Sequence, residues 1–215
     1  MLRTAASELS WLLTRGYSMK GTLKLVGDRY TLTDRQRLAI SRAACSDQSK
    51  EQRARTLISS DDVAGKDLIV DGFNLLITIE AALSRGLLII CRDGCIRDLS
   101  SVHGSYRSVD ETERAIKLIG EAIKTLQPIS VRWMLDRPIS NSGRLAKRIR
   151  DAARREEWNW TVEVVFNPDA EISASERIVI SSDSHVLDES ARWLNFNSLV
   201  IEKQLDQSWL IDLSC

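Results

Sequence analysis

DLIVDGFNLLITIEAALSRGLLIICRDG, residues 67–94, decides the fold class. Two short apolar runs, residues 68–70 and 87–91, lead to Asp71 and Asp93, each followed by glycine. Between them FNLLITIEAAL has the length and apolar spacing of a helix, and Gly86 ends it. Strand, helix and strand in such close succession are how a parallel α/β sheet begins.

The pattern continues downstream. GCIRDLSSVHGSYRS reads as a long polar loop, and ETERAIKLIGEAIKTL as an amphipathic helix closed before Pro128. ISVRWML (129–135) is a third strand, followed by a helix over 142–158. TVEVVF (161–166) and RIVIS (177–181) are further strands, a helix lies near 184–193, and SLVIE is read as a last strand. The expected fold is α/β: a three-layer domain with a parallel sheet and helices on both faces, over residues 66–215.

Upstream the periodicity is helical. In MLRTAASELSWLLTR, residues Leu2, Leu9, Trp11, Leu12 and Leu13 make an apolar face, while Glu8 and Ser10 argue for an amphipathic helix over a signal peptide. A second helix fits residues 18–26. Thr33 caps a third, with Leu38, Ile40 and Ala44 inward and Arg35, Arg37 and Arg42 outward. A small all-α domain over 1–62 is expected, and the polar QSKEQRARTLISSDDVAGKD reads as the linker.

Composition bounds the partners. Residues 1–66 hold 12 Lys/Arg against 7 Asp/Glu, and residues 67–215 hold 18 against 23. A basic extension on an acidic body suits a nucleic-acid partner, and suits equally two halves docked on one another. No run approaches the roughly 18–20 apolar residues of a membrane span. Cys45, Cys91, Cys95 and Cys215 have no zinc spacing and are too few for a disulfide scaffold, which points to a reducing cytoplasm. Neither GxxxxGK[ST], GxGxxG nor GxSxG occurs. Phe73 stands where an aspartyl-nucleophile phosphatase carries its second aspartate.

The acids after the strands carry the functional argument. Asp71, Asp93, Asp136 and Asp183 each follow an apolar run. In an open parallel sheet the carboxyl ends of the strands share one edge, where ligands bind. Two carboxylates about 4–5 Å apart repel by roughly 3–4 kcal/mol at an effective dielectric near 20, so such a group needs a cation. All-oxygen ligands favour Mg²⁺ or Mn²⁺ over zinc. Asn74 lies one helical turn beyond Asp71, over the same pocket. Asp also caps helices and makes turns, which is the plainer reading of each position alone.

IVDGFNLL resembles the first-strand motif of the PIN-like nuclease superfamily, and ISSDSHVLD its later strand, Ser/Thr-x-Asp, helix motif. More closely, DGFN-LLITIEAAL, RDG-IRD, VHGSYR, LD-P-S-SG and SSDS together resemble an uncharacterised prokaryotic family with a short helical N-terminal domain before a PIN-like domain. The resemblance implies a Mg²⁺- or Mn²⁺-dependent ribonuclease, with Asp71, Asp136 and Asp183 as metal ligands. Asp93 ends a strand that carries an acid less regularly in that superfamily, and the helix-borne acid is either Glu80 or Asp98.

The expected substrate contacts follow. Ser140 and Ser142 stand at a helix start, where unpaired N–H groups bind anions. Arg144 and Arg148 belong to a basic stripe on that helix, able to neutralise phosphates or simply to face solvent. His103 and Arg107 would touch substrate and phosphate, and Tyr106 would stack on a base. RNA is the expected partner, and a homo-oligomer is left open. The rival readings are a non-catalytic RNA-binding adaptor and a phosphohydrolase of small nucleotides.

Overall fold

The structure, a computed structural model, describes residues 1–100, 106, 110–205 and 208–214. His103, Arg107 and Cys215 lie outside the described residues.

The chain starts with α1 (Leu2–Thr14), α2 (Met19–Arg29) and α3 (Asp34–Ala43). Thr33 and Gln36 form a reciprocal capping box at the start of α3. Ala5, Leu9, Val26, Leu32 and Ile40 close the core of these three helices. The expected linker is instead α4 (Asp47–Thr56), capped by the Ser46 hydroxyl. It has no apolar face, and its one buried residue is Arg53. Charge orders it: Arg53 reaches Asp93 at 2.5 Å and Asp188 at 2.8 Å.

Beyond it run β1 (Asp67–Asp71), α5 (Gly72–Leu83), β2 (Leu87–Ile90), β3 (Ile96–Asp98), α6 (Thr112–Thr125), β4 (Ser130–Asp136) and α7 (Ser142–Arg155). Then come β5 (Trp160–Val165), α8 (Pro168–Ser173), β6 (Ile178–Ile180), α9 (Ser184–Glu189), α10 (Phe196–Gln204) and β7 (Trp209–Asp212). The main sheet is wholly parallel, in the order β5-β4-β1-β6. Alternation along its strands separates the layers. Leu68, Val70, Trp133 and Leu135 pack on α5, α6 and α7, while Ile69, Met134 and Val179 pack on α8 and α9.

Three expectations need correction. The run 87–91 does not join the main sheet. Its strand β2 pairs antiparallel with β3 and parallel with β7 in a separate three-stranded sheet. The polar stretch after it contains β3, too short to show a period. SLVIE lies in helix α10, where Phe196, Val200 and Ile201 bury one helical face.

The strand order fixes where ligands can go. From β1 the chain steps to β4 and outward to β5, then returns to β6 on the other side of β1. The order reverses between β1 and β6, which opens a crevice at their carboxyl ends. Gly72, where β1 turns into α5, has no room for a side chain. A Cβ there would lie 2.6 Å from Leu135 Cδ2 and 2.9 Å from the Met134 carbonyl oxygen. Gly72→Ala should therefore destabilise the fold by about 1–3 kcal/mol, as overpacking does. Urea unfolding should show a lower midpoint at unchanged slope.

Among the described residues no helix is long and apolar enough to cross a membrane.

Candidate functional site

Asp71 ends β1 and caps α5, accepting the Asn74 N–H at 3.4 Å. Its other oxygen accepts the Ser181 hydroxyl at 2.8 Å, from just beyond β6. Burial pushes this carboxyl up to about 7, and the charges of Asp183 and Asp169 push the same way. Asp183 caps α9, accepting the N–H groups of His185 and Val186. Asp169 sits in the first turn of α8, where burial and the charges of Asp183 and Asp136 raise it too. Asp71, Asp169 and Asp183 line one cleft of about 330 Å³ at the switch point.

Asn74 lines this cleft as well. Its Oδ1 accepts both the backbone N–H of Ser182 at 2.9 Å and the Ser182 hydroxyl at 2.6 Å. A backbone N–H can only donate, so the amide orientation is fixed. Its Nδ2 has no partner among the described residues. Asn74 thus offers the cleft a donor, suited to an anionic oxygen rather than to a metal.

Residues 60–199 match the family described as "Domain of unknown function (DUF5616)", and residues 1–55 match "Protein of unknown function (DUF434)". The chain belongs to the first of these families. An uncharacterized protein of Methanocaldococcus jannaschii is 33% identical over 186 residues, covering 86% of this chain and 88% of the relative. No solved structure matches.

The cleft draws on both matched segments. Ser41 and Arg42 of α3 line it from the first, facing residues of the second. Arg42, expected to face out, donates to the Asp98 carbonyl and carboxylate and to the Ser100 carbonyl. Asp98 also accepts the Thr78 hydroxyl at 2.8 Å, so it ties α3 to α5. Behind it Arg97 is buried, donating to the carbonyls of Ser182 and Arg42.

Other expected residues fall elsewhere. Asp136 ends β4, where burial raises its carboxyl and its charge acts on Asp169, but it does not line the cleft. Asp93 is no edge acid. Its buried carboxylate bridges Arg53 and Arg97, and though burial opposes ionisation, the Arg97 and Arg53 charges hold it at about 2. Tyr106 cannot stack on a base, being 4% exposed, packed on Phe73 and donating to Glu80. Glu80, bound by Tyr106 and Thr112, is an interior acid outside the cleft lining. That leaves Asp98 as the one of the two alternatives that lies at the cleft.

At the start of α7, the expected phosphate seat, the Ser142 side chain is turned inward. The buried Ser142 hydroxyl donates to the carbonyls of Asp136 and Ile139. Ser140 accepts the Tyr106 N–H through its carbonyl. Arg148 pairs with Glu113 of α6 at 2.7 Å, and Lys147 with Asp151, so much of the basic stripe is neutralised on the surface. Arg144 is exposed there. Three charged residues of the cleft were missed. Asp169 lies beyond a short turn after β5, and allowing such a gap after each strand would have found it. Arg42 and Arg97 gave no signal, because their place depends on how α3 meets β3.

Proposed function

We propose that the chain is a metal-dependent ribonuclease with a PIN-like α/β domain, cleaving RNA phosphodiesters at this cleft. One observation carries the reading: four carboxylates from separate elements, Asp71, Asp98, Asp169 and Asp183, line a single cleft at the sheet's switch point, and Asp71 is raised to about 7. The likeness of IVDGFNLL and ISSDSHVLD to PIN-like motifs supports it.

The residues fit Mg²⁺ or Mn²⁺ by chemistry, since every acidic donor is an oxygen. Among the described residues no three acids, histidines or cysteines form a cage on their own. Mg²⁺ does not need one, because it usually keeps several waters and binds one or two carboxylates plus substrate phosphate. Asp71 and Asp183 would hold the ion, with Asp169 and Asp136 adding charge at the same edge. Bound there, the ion acidifies water and neutralises charge on the phosphate. Asp71, near 7 without a cation, can exchange its proton for one at neutral pH. Ser181 orients Asp71, while Ser182 orients Asn74 toward a substrate oxygen.

Purified protein with Mg²⁺ or Mn²⁺ should cut members of a panel of labelled RNAs, and Asp71→Asn should lose at least about 100-fold of that activity, as removal of a group central to catalysis does. Equal cutting by both would reject the site. RNA binding without cutting under any ion would make the chain a binding protein, and hydrolysis of free nucleotides alone would make it a small-nucleotide phosphohydrolase.

A further inference from the structure

Arg42 is anchored but not saturated. Its Nη1 gives two bonds to Asp98, and its Nη2 gives one to the Ser100 carbonyl at 2.6 Å. The Nε–H and one Nη2–H have no partner among the described residues. Elsewhere in this protein Arg132 uses that same pair of groups to grip Glu163 bidentately, at 2.8 and 2.7 Å. A guanidinium edge of this kind matches a phosphate equally well. Asn74, whose Nδ2 has no partner among the described residues, lines the same cleft. Opposite stand the acids, which repel a free anion unless the rest of the ligand brings binding energy.

We propose that Arg42 and Asn74 form a phosphate subsite in which the helical N-terminal unit grips a single-stranded RNA backbone beside the acids. The assignment deepens the ribonuclease reading and rests on it for the kind of ligand. The cleft volume of about 330 Å³ is at the low end for ligand sites, roughly 300–1,000 Å³. A volume of that size takes about one nucleotide, which favours a single strand over a paired helix. The anchoring bonds to Asp98 and Ser100 set the guanidinium in place beforehand, so little side-chain freedom is lost on binding.

The test measures binding apart from catalysis. A fluorescein-labelled single-stranded oligoribonucleotide and its duplex are titrated by anisotropy into Asp71→Asn protein, with and without Arg42→Gln. The single strand should bind at least tenfold tighter than the duplex. Arg42→Gln should weaken it about tenfold or more and lower the slope of log K against log salt by about one. Because Arg42 also braces β3, thermal melting is run alongside. Ser41→Asp serves as a second variant, adding a negative charge on the same wall while removing none of the atoms that Arg42 bonds to, and it should weaken binding as well. Unchanged affinity in a normally folded Arg42→Gln or Ser41→Asp variant would overturn the subsite, as would equal binding of duplex or none of either RNA. Arg42-dependent binding by a wild-type protein that cuts nothing would retain the subsite and reject the nuclease.

Discussion

Asp93→Asn should remove about 3–5 kcal/mol of stability at pH 7, the cost of breaking a buried ion pair from one side. Among the described residues Asp93 is the one acid paired with both Arg53, at 2.5 Å, and Arg97, at 2.6 Å, and its side chain is 1% exposed, while Arg53 keeps only the half-exposed Asp188 besides. Replacing it leaves two buried guanidinium groups facing each other with the bridge removed. The loss is a large part of the roughly 5–15 kcal/mol that holds a domain together. Its pH dependence has a definite sign. The folded carboxyl stands at about 2, below the ordinary 3.8, so its contribution is complete above about pH 4 and fades as pH falls through 2. The deficit of the variant, measured by urea unfolding, should therefore shrink in strong acid. A variant within about 1 kcal/mol of wild type at pH 7 would mean that the two arginines are not held by this carboxylate.

Asp71→Asn should act in the opposite direction. Here the folded carboxyl stands at about 7, well above 3.8, so the folded state holds the proton more tightly than the unfolded chain. The associated stability is complete below about pH 4 and is lost as pH rises through 7. A displacement of that size is about 4 kcal/mol between the protonation states. Without divalent ions, the asparagine variant should match wild type near pH 4 and exceed it by up to about 4 kcal/mol at pH 8. Mg²⁺ should narrow the gap at pH 8 by stabilising wild type alone. A flat difference between pH 4 and 8, or equal stabilisation of both proteins by Mg²⁺, would show that this carboxyl is not strained by burial and its acidic neighbours. A gain in stability with a loss of activity is the pattern of a group kept for chemistry at the expense of the fold.

What the sequence revealed follows from what each element rests on. Strands β1 and β6 were legible because their burial is apolar on both faces, as 68–70 and 178–180 show. The acids Asp71 and Asp183 were legible because each sits directly at a strand end and caps the next helix. Where order comes from charge, periodicity is silent. Helix α4 has one buried anchor, Arg53, whose partners lie far along the chain. Asp93 looked like its neighbours at the strand ends because the sequence does not show that β2 belongs to another sheet. Tyr106 and Ser142, polar in the sequence, spend their hydroxyls inside the protein. SLVIE has strand-like composition, but Val200 and Ile201 join Phe196 in a tertiary contact that only a helix delivers.

The three-stranded sheet also bears on the order of assembly during synthesis. Residues 87–90 must wait for 209–212 before β2 gains its parallel neighbour. Leu213 then joins Ala39, Ala43, Ile89 and Cys91 in one apolar cluster, and Arg3 of α1 reaches Asp212. The inner face of α3, the helix that carries Arg42 to the cleft, is thus sealed by a segment that leaves the ribosome long after α3 does. Until then that face lacks part of its apolar cover, so the seat of α3 beside the cleft is completed only once β7 is in place.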